Sequence, residues 1–121
     1  MIMPIDSTVY RNSKGELHRD DGPAWTHPQG TEYWLQNGEL HRLGGPAVVG
    51  NDGNNFWYQY GKCHRLDGPA HEMPNGNVAW YINDENVTTE VEDWLKEQKI
   101  TLPMSESELS FFILTFVGQL S

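Results

Sequence analysis

The stretch His64-Arg65-Leu66-Asp67-Gly68-Pro69-Ala70 is the last of three similar copies, which begin at His18, His41 and His64. The copies are 23 residues apart and share the His-Arg pair and the Gly-Pro-Ala triplet, whereas Gly44 replaces the acid in the middle copy. Other residues recur at the same spacing: Gly15, Gly38 and Gly61; Gly30, Gly53 and Gly76; Trp34, Trp57 and Trp80. A period kept at so many positions indicates an array of repeated units, which ends near Ile82.

Each unit alternates turn residues with short runs of aromatic or apolar residues, which is typical of β-hairpins. Asn37-Gly38 suits both central positions of a type I′ turn, and Lys14-Gly15 and Tyr60-Gly61 stand in the same phase. The second glycine of each unit reverses the chain at the other end. We therefore predict a continuous antiparallel meander of hairpins with a helical C-terminal region, a mainly β fold of the α+β class.

Counting outward from the turn at Asn37-Gly38 predicts the strand pairing, with Leu35 opposite Leu40 and Trp34 opposite His41. The same count sets each repeated arginine beside a ring: Arg42 beside Tyr33, Arg65 beside Phe56 and Arg19 beside Tyr10. Packing of this kind explains the motif fully. We therefore assign structural roles to His18, His41, His64, Arg19, Arg42, Arg65, Trp34, Trp57 and Trp80.

The character of the chain changes where Asp84-Glu85 takes the place of the next hairpin glycine. Residues 84–121 carry a net charge of −6 and residues 1–83 a net charge of −3. We therefore divide the chain into a repeat array, residues 1–83, and an acidic helical cap, residues 84–121. A length of 121 residues favours a single globular unit that contains both.

Two capping-box patterns predict helices in the acidic cap. Thr89-Glu-Val-Glu92 predicts a helix over about residues 90–99. Ser105-Glu-Ser-Glu108 precedes apolar residues at helical spacing, which are Leu109, Phe112, Ile113, Phe116 and Leu120. Phe111, Leu114 and Val117 widen this apolar arc, so we expect the second helix to be deeply buried or paired with another chain.

Composition excludes several classes of function. Eight Lys and Arg against 17 Asp and Glu give a net charge of −9, so the cationic surface that direct nucleic-acid binding needs is missing. The longest apolar run, Phe111–Val117, is far shorter than the roughly 20 residues of a membrane span. A single cysteine and an N-terminal stretch without the features of a secretory signal predict a cytoplasmic protein.

The histidines and Cys63 raise the question of a metal site, but their spacing argues against one. Equivalent residues in successive units are two strands apart, about 9–10 Å at ~4.8 Å per strand, whereas the ligands of one zinc each lie about 2 Å from it. We expect Cys63 to be a buried thiol opposite Tyr58. Since no catalytic motif or phosphate-binding loop stands out either, we predict no metal, no cofactor and no enzymatic activity.

The repeat resembles a known family. The unit Trp34-x-x-Asn37-Gly38-x-x-His41, with a second turn at Asp52-Gly53 before Trp57, resembles the 23-residue MORN repeat. The extension Arg65-Leu66-Asp67-Gly68-Pro69-Ala70 is similar to variant repeats that are common in bacteriophage-encoded proteins. The resemblance covers roughly residues 10–83 and implies a β-hairpin array. It also implies a role in binding or dimerisation, since MORN arrays are described as binding or dimerising modules without a shared catalytic site.

We therefore predict a non-enzymatic protein-binding module, a small phage-encoded protein that inhibits or redirects a host or anti-phage defence protein. Specificity is expected at positions that break the repeat: Trp25, His27, Val48, Val49, His71 and Met73. Carboxylates of the acidic cap, Glu90, Glu92 and Asp93, are candidates for a surface that imitates nucleic-acid phosphates. The alternative is a structural or self-associating protein, a homodimer through Phe111–Leu120.

Overall fold

A computed structural model describes residues 8–118 of the chain. They form thirteen short strands followed by helices, which confirms the expectation of a mainly β fold with C-terminal helices. The strands are β1 (Thr8–Val9), β2 (Trp25–Thr26), β3 (Glu32–Tyr33), β4 (Leu35–Gln36), β5 (Glu39–Leu40), β6 (Val48–Val49), β7 (Asn55–Phe56), β8 (Tyr58–Gln59), β9 (Lys62–Cys63), β10 (His71–Glu72), β11 (Val78–Ala79), β12 (Tyr81–Ile82) and β13 (Glu85–Asn86). The helices are α1 (Thr88–Gln98), α2 (Glu106–Phe112) and a π-helix (Ile113–Val117).

Seven strands form one antiparallel sheet in the order β1-β2-β3-β6-β7-β10-β11. One row of directly paired residues crosses this sheet: Val9, Trp25, Tyr33, Val48, Phe56, His71 and Ala79. The predicted reversals at Gly30, Gly53 and Gly76 are confirmed, since each of these glycines donates its N–H to the carbonyl three residues earlier. These turns join β2 to β3, β6 to β7 and β10 to β11.

The other six strands form three separate hairpins, β4–β5, β8–β9 and β12–β13. Leu35 pairs with Leu40, and Tyr58 pairs with Cys63, so the predicted register is confirmed in β4–β5 and β8–β9. The register predicted around Lys14-Gly15 is wrong, because Arg11 pairs with Leu17 and three residues form the loop. Both central residues of each turn have positive φ, as a type I′ turn requires: Asn37 (50°), Gly38 (82°), Tyr60 (51°), Gly61 (79°), Asn83 (50°) and Asp84 (71°). Asparagine and aspartate tolerate this region, which explains how the last hairpin forms without glycine.

The meander is not continuous, because the chain leaves the sheet at each repeated tryptophan. Trp34 donates its backbone N–H to the carbonyl of Ala47, the residue before strand β6 of the sheet, while its own carbonyl accepts from His41, which follows strand β5 of the hairpin. The two backbone groups of one residue thus serve two different sets of strands. The pairing predicted for Tyr33 is therefore wrong, since Tyr33 pairs with Trp25 and Val48 within the sheet.

Two backbone hydrogen bonds link each hairpin to the next. Between the first two, Arg42 donates to the carbonyl of Tyr58 and Gly61 donates to that of Leu40. The same pattern follows at the last hairpin, with bonds from Arg65 to Tyr81 and from Asp84 to Cys63. The hairpins consequently form a second row alongside the sheet.

The first helix forms as predicted but begins differently. Helix α1 spans Thr88–Gln98, which confirms the helix expected over about 90–99. The capping box expected at Thr89–Glu92 is wrong, because both residues lie inside the helix and the residue before it makes no side-chain cap. Asn86 instead accepts the backbone N–H of Thr88 through Oδ1 at 3.0 Å. Since an Asn side chain readily bonds the backbone two residues on, it satisfies one N–H of the first turn.

The second helix begins with the predicted capping box. Ser105 Oγ accepts from the backbone N–H of Glu108 at 3.2 Å, and Glu108 Oε1 accepts from the N–H of Ser105 at 2.8 Å. Phe112 at the end of this helix is fully buried. The expectation of deep burial is wrong for Phe111 and Leu114, which are 46% and 71% exposed, because the short helix presents only one stripe to the core. Leu120 lies outside the described residues.

The main hydrophobic core lies where the helices meet the last hairpin. Its buried members are Trp80, Ile82, Val91, Trp94 and Phe112. The β12–β13 hairpin continues to Asn86, so strand structure extends past the division that the sequence suggested at residue 83. The helices therefore pack against the end of the array rather than across the whole sheet.

Candidate functional site

Each repeated arginine lies over an aromatic ring. The distances from Cζ to the ring centroid are 4.1 Å for Arg19 over Tyr10, 3.6 Å for Arg42 over Trp34 and 4.0 Å for Arg65 over Trp57. In all three units Nη1 also donates to the proline carbonyl of the Gly-Pro-Ala triplet, at distances between 3.0 and 3.4 Å. Ring contact and hydrogen bond together hold the guanidinium in place.

The sequence assigned the correct ring to Arg19 but not to the other two arginines. Arg42 covers Trp34 rather than Tyr33, and Arg65 covers Trp57 rather than Phe56. The physical reason is that the chain passes from the sheet to a hairpin at the tryptophan. The pairing of the hairpin ends there, whereas the prediction continued it for one more residue.

The glycine of the triplet leaves room for the guanidinium. A Cβ atom at Gly68 would lie 2.6 Å from Cζ of Arg65, and at Gly45 a Cβ atom would lie 2.8 Å from Cζ of Arg42. Such distances are well inside van der Waals contact, so a side chain there would displace the arginine. The alanine that follows is fully buried in every unit. Sterics thus account for the glycine and the alanine of the triplet.

The acid of the motif has a partner in two units only. Arg19 Nε donates to Asp21 at 3.1 Å, and Arg65 Nε donates to Asp67 at 2.8 Å. Arg65 also lies 3.5 Å from Glu72. In the middle unit Gly44 occupies the acid position, and within residues 8–118 Arg42 forms no ion pair.

The repeated histidines hold the turn of the following unit. Nδ1 accepts the backbone N–H of the first turn residue at 3.0 Å in every case: His18 from Asn37, His41 from Tyr60 and His64 from Asn83. A neutral imidazole that accepts at Nδ1 carries its proton on Nε2. Burial lowers the pKa of His64, which favours this neutral form.

The three repeated tryptophans have different surroundings. Trp80 is 1% exposed and lies in the core, with its ring 5.5 Å from that of Phe112. Trp34 and Trp57 are half-buried beneath their arginines. The indole Nε1 of Trp34 is buried and has no hydrogen-bond partner among the described residues.

Three of the predicted specificity residues share one surface with two aromatic residues. We call this the aromatic sheet face; it consists of Trp25, Tyr33, Val48, Phe56 and His71. The rings of Trp25 and Tyr33 stack at 4.6 Å between centroids, and those of Phe56 and His71 stack at 4.0 Å. All five residues are half-buried, and none belongs to the core formed with the helices.

A shallow cavity of about 350 Å³ lies on this part of the sheet. Its lining includes Tyr33, Val48 and Phe56 of the aromatic sheet face. His71 contacts another lining residue, because its Nε2 lies 3.0 Å from Oδ1 of Asn54. One ring of each stack, Tyr33 and Phe56, thus lines this concave surface.

The remaining predicted specificity residues are not brought together. The ring of His27 lies 5.7 Å from that of Trp25, at the edge of the aromatic sheet face. Val49 follows Val48 in the same strand and therefore points to the opposite side of the sheet. Met73 begins the turn that contains Gly76.

The acidic residues proposed for partner binding lie away from that face. Glu90, Glu92 and Asp93 are exposed on helix α1, whose buried residues are Val91 and Trp94. None of the three acids forms an ion pair within the described part of the chain. They contribute an unpaired negative surface on the acidic cap.

Cys63 is buried opposite Tyr58, as the sequence predicted. Burial, together with the charge of Asp84, raises the pKa of its thiol to about 11. The thiol is therefore protonated and a poor nucleophile at neutral pH. Across residues 8–118 no group of three His, Cys, Asp or Glu side chains is placed to hold a metal ion.

The helices of the described region are all too short or too polar to span a bilayer. Sequence reasoning did not single out two exposed apolar side chains, Leu43 and Tyr60, each 71% exposed. A signal was present for Tyr60, because an aromatic residue stands where a type I′ turn favours asparagine or glycine. An aromatic side chain displayed at such a position is a candidate contact residue.

The chain was compared with protein-family models, curated proteins and solved structures. No family model, no curated protein and no solved structure matches it.

Proposed function

We propose that this chain is a non-enzymatic protein-binding module made of MORN-like units of 23 residues, with the aromatic sheet face as its main contact surface. The 23-residue spacing of the His-Arg and Gly-Pro-Ala residues supports the repeat assignment. The single observation that carries the binding role is a row of stacked rings on the sheet, because none of these rings belongs to the core that the helices form.

The composition of this face suits protein recognition. Trp and Tyr are enriched at binding hot spots, and an aromatic side chain loses little conformational freedom on binding. The stacks of Trp25 on Tyr33 and of Phe56 on His71 already restrict these side chains in the free protein. Binding therefore costs less ordering entropy than it would for flexible side chains.

The resemblance to phage-encoded repeat proteins supports a bacterial target. In this proposal the chain binds a host or anti-phage defence protein and inhibits or redirects it. Simple blocking of a surface is sufficient for such a role, which fits a site without catalytic groups.

Affinity capture from a bacterial lysate, with identification by mass spectrometry, tests this function. The key variant is Trp25→Val, because Val48 occupies the equivalent position one unit later and the fold accommodates it there. We expect the tagged wild type to capture a specific protein and Trp25→Val to lose it. Leu114→Ser is the matched control, since Leu114 is exposed but lies off the aromatic sheet face. Recovery of no stable partner, or equal capture by Trp25→Val, contradicts the proposal.

A sharper version assigns part of the binding energy to the acidic cap. Glu90, Glu92 and Asp93 would imitate nucleic-acid phosphates before a basic target. Attraction between exposed charges is screened over a few ångströms at ~0.5 M salt. We expect salt to weaken binding of the captured partner, and salt-independent binding excludes the mimicry.

A second candidate function is self-association through the C-terminal helices, favoured by the exposure of Phe111 and Leu114. Apolar side chains clustered on one surface are typical of interfaces between chains. Sedimentation equilibrium of the wild type and of Leu114→Ser tests this. A dimer that the substitution weakens supports self-association, and a monomeric wild type excludes it.

A further inference from the structure

A groove beside Arg42 has the features of an unfilled ion-pair site. We call it the Arg42 groove; its volume is about 380 Å³, and its wall includes Arg42, Gly44, Gln59, His64, Leu109 and Ile113. The wall contains no residue of the aromatic sheet face, so the two surfaces are distinct. The groove lies between the row of hairpins and the C-terminal helices.

The middle unit lacks the carboxylate that its neighbours have. Arg19 and Arg65 each donate through Nε to an aspartate two residues further on. Arg42 has Gly44 at that position and donates only through Nη1, to the carbonyl of Pro46 at 3.0 Å. Its Nε has no hydrogen-bond partner in the described portion of the chain. A guanidinium that is held in place with an unused N–H can donate to a carboxylate.

The space that this carboxylate would need is open. Gly44 lies in the wall of the groove, and a Cβ atom placed on it would meet no atom within 4 Å. The one acid of the wall, Asp67, is occupied by Arg65 at 2.8 Å. Repulsion from Asp67 is therefore offset by its partner, and the unpaired charge in the groove is that of Arg42.

Two further hydrogen-bond donors lie in the same wall. His64 accepts the N–H of Asn83 at Nδ1, so its neutral ring carries a proton on Nε2. Gln59 makes no side-chain hydrogen bond to any residue from 8 to 118. The equivalent residue one unit earlier, Gln36, is engaged with the carbonyl of Arg19 and with Asp20. The wall of the groove thus offers more free hydrogen-bond donors than free acceptors.

The rest of the wall is apolar and limits the ligand. Leu66, Leu109 and Ile113 line the groove together with the indole of Trp57. A volume of about 380 Å³ suits a small group rather than the face of a folded protein. The net charge of −9 acts against a polyanion, whereas a single carboxylate needs only the local field.

We propose that the Arg42 groove binds a carboxylate that carries an adjacent apolar group, and that this carboxylate replaces the acid missing from the middle unit. A peptide C-terminus with an apolar last residue and a small apolar carboxylic acid share this chemistry. The inference that a protein supplies the carboxylate rests on the proposed function. The preference of the groove for a carboxylate does not.

Titration of the full-length chain, labelled with ¹⁵N, with N-acetyl-leucine tests the proposal by NMR. We expect shifts at the amide of Gly44, the side-chain amide of Gln59 and the indole N–H of Trp57. N-acetyl-leucinamide is the matched probe, because it has the same shape without the charge. Equal shifts with both probes, or none with the acid, overturn the proposal.

Three variants locate the bound carboxylate. Gly44→Asp supplies an internal acid and should weaken binding of the probe at least about tenfold, while Gly44→Asn should bind like the wild type. Both residues tolerate the φ of +82° at this position, so the pair is matched for backbone strain. Gln59→Glu adds a competing charge without that strain and should weaken binding similarly. Unchanged affinity in Gly44→Asp, or in Gln59→Glu should the first variant not fold, refutes the assignment.

The source of the carboxylate is distinguished with a tripeptide that ends in leucine, as the free acid and as the amide. Tenfold tighter binding of the peptide acid than of N-acetyl-leucine assigns the groove to a protein C-terminus, and equal affinity assigns it to a small acid. These measurements use no lysate, so failure of partner capture leaves their result intact.

Discussion

Nδ1 of His41 accepts a hydrogen bond from the backbone N–H of Tyr60, 19 residues further along and in the next hairpin, at 3.0 Å. The two rings lie 4.4 Å apart. One histidine therefore fixes the turn of its neighbour rather than its own. This contact adds a side-chain acceptor to the two backbone hydrogen bonds that join these hairpins.

Replacing His41 by phenylalanine should destabilise the fold by about 0.5–1.5 kcal/mol, because the N–H of Tyr60 loses its acceptor while a ring of similar size remains. Urea unfolding measures the loss. His41→Asn is the matched control, since its Oδ1 can accept in the place of Nδ1 and should recover most of the stability. Equal losses in both variants would show that the acceptor contributes nothing.

Tyr60→Asn should stabilise the fold by about 0.5–1 kcal/mol, since tyrosine has a φ of 51° and asparagine tolerates this region better. The expected rise in Tm is about 2–5 °C by calorimetry. Tyr60→Phe keeps the strain and should leave Tm unchanged. A fall in Tm for Tyr60→Asn would mean that the ring contact with His41 outweighs the backbone strain.

Acid should weaken the end of the array that meets the helices. Burial lowers the folded-state pKa of His64 below its unfolded value of 6.5. The associated stability is therefore complete above pH 6.5 and is lost as the pH falls through the folded-state pKa. Urea unfolding at pH 7 and pH 5 should show a larger loss in the wild type than in His64→Asn, which cannot titrate. An identical pH dependence in both proteins would contradict this.

The thiol of Cys63 should be inert in the folded protein. Its pKa is raised from 9.0 to about 11, so the stability linked to the thiol is complete below pH 9 and declines as the pH rises through 11. At pH 8 Ellman's reagent should react slowly with the native protein and rapidly in urea. Because the chain has one cysteine, the absorbance reports this residue alone. Fast native reaction would show that the thiol is accessible.

Gly68→Ala should destabilise the fold by about 1–3 kcal/mol, because the new Cβ would displace the guanidinium of Arg65. A double-mutant cycle with Arg65→Ala isolates this clash, since the methyl group costs less once the arginine is absent. Additive losses measured by urea unfolding would mean that the glycine is needed for another reason.

Sequence reasoning succeeded where structure is set locally. The register around Asn37-Gly38 follows from turn geometry, and the capping box of Ser105 with Glu108 follows from spacing along one helix. Both depend only on residues that are close together in the chain, so the sequence alone is enough to predict them.

Sequence reasoning failed where a contact depends on residues far apart in the chain. The ring beneath Arg42 depends on the transfer of the chain from sheet to hairpin at Trp34, which the hydrogen bond to Ala47 controls. The Arg42 groove was not anticipated, because its walls come from two units and from the helix that holds Leu109. The absence of an acid at position 44 was visible in the sequence, but its meaning required the contacts of Arg42.

The helices cover only one end of this fold, and this asymmetry determines where the molecule unfolds locally. Trp80 and Ile82 lie beneath Phe112, whereas Thr8 and Val9 are exposed, and within the described residues their strand pairs with β2 alone. Amide protons near Thr8 should exchange with solvent first, and protection should rise toward the helices. A ligand that binds Trp25 would reduce local unfolding of the segment near Thr8, which opens most readily. Ligand binding and order at this end of the sheet therefore increase together.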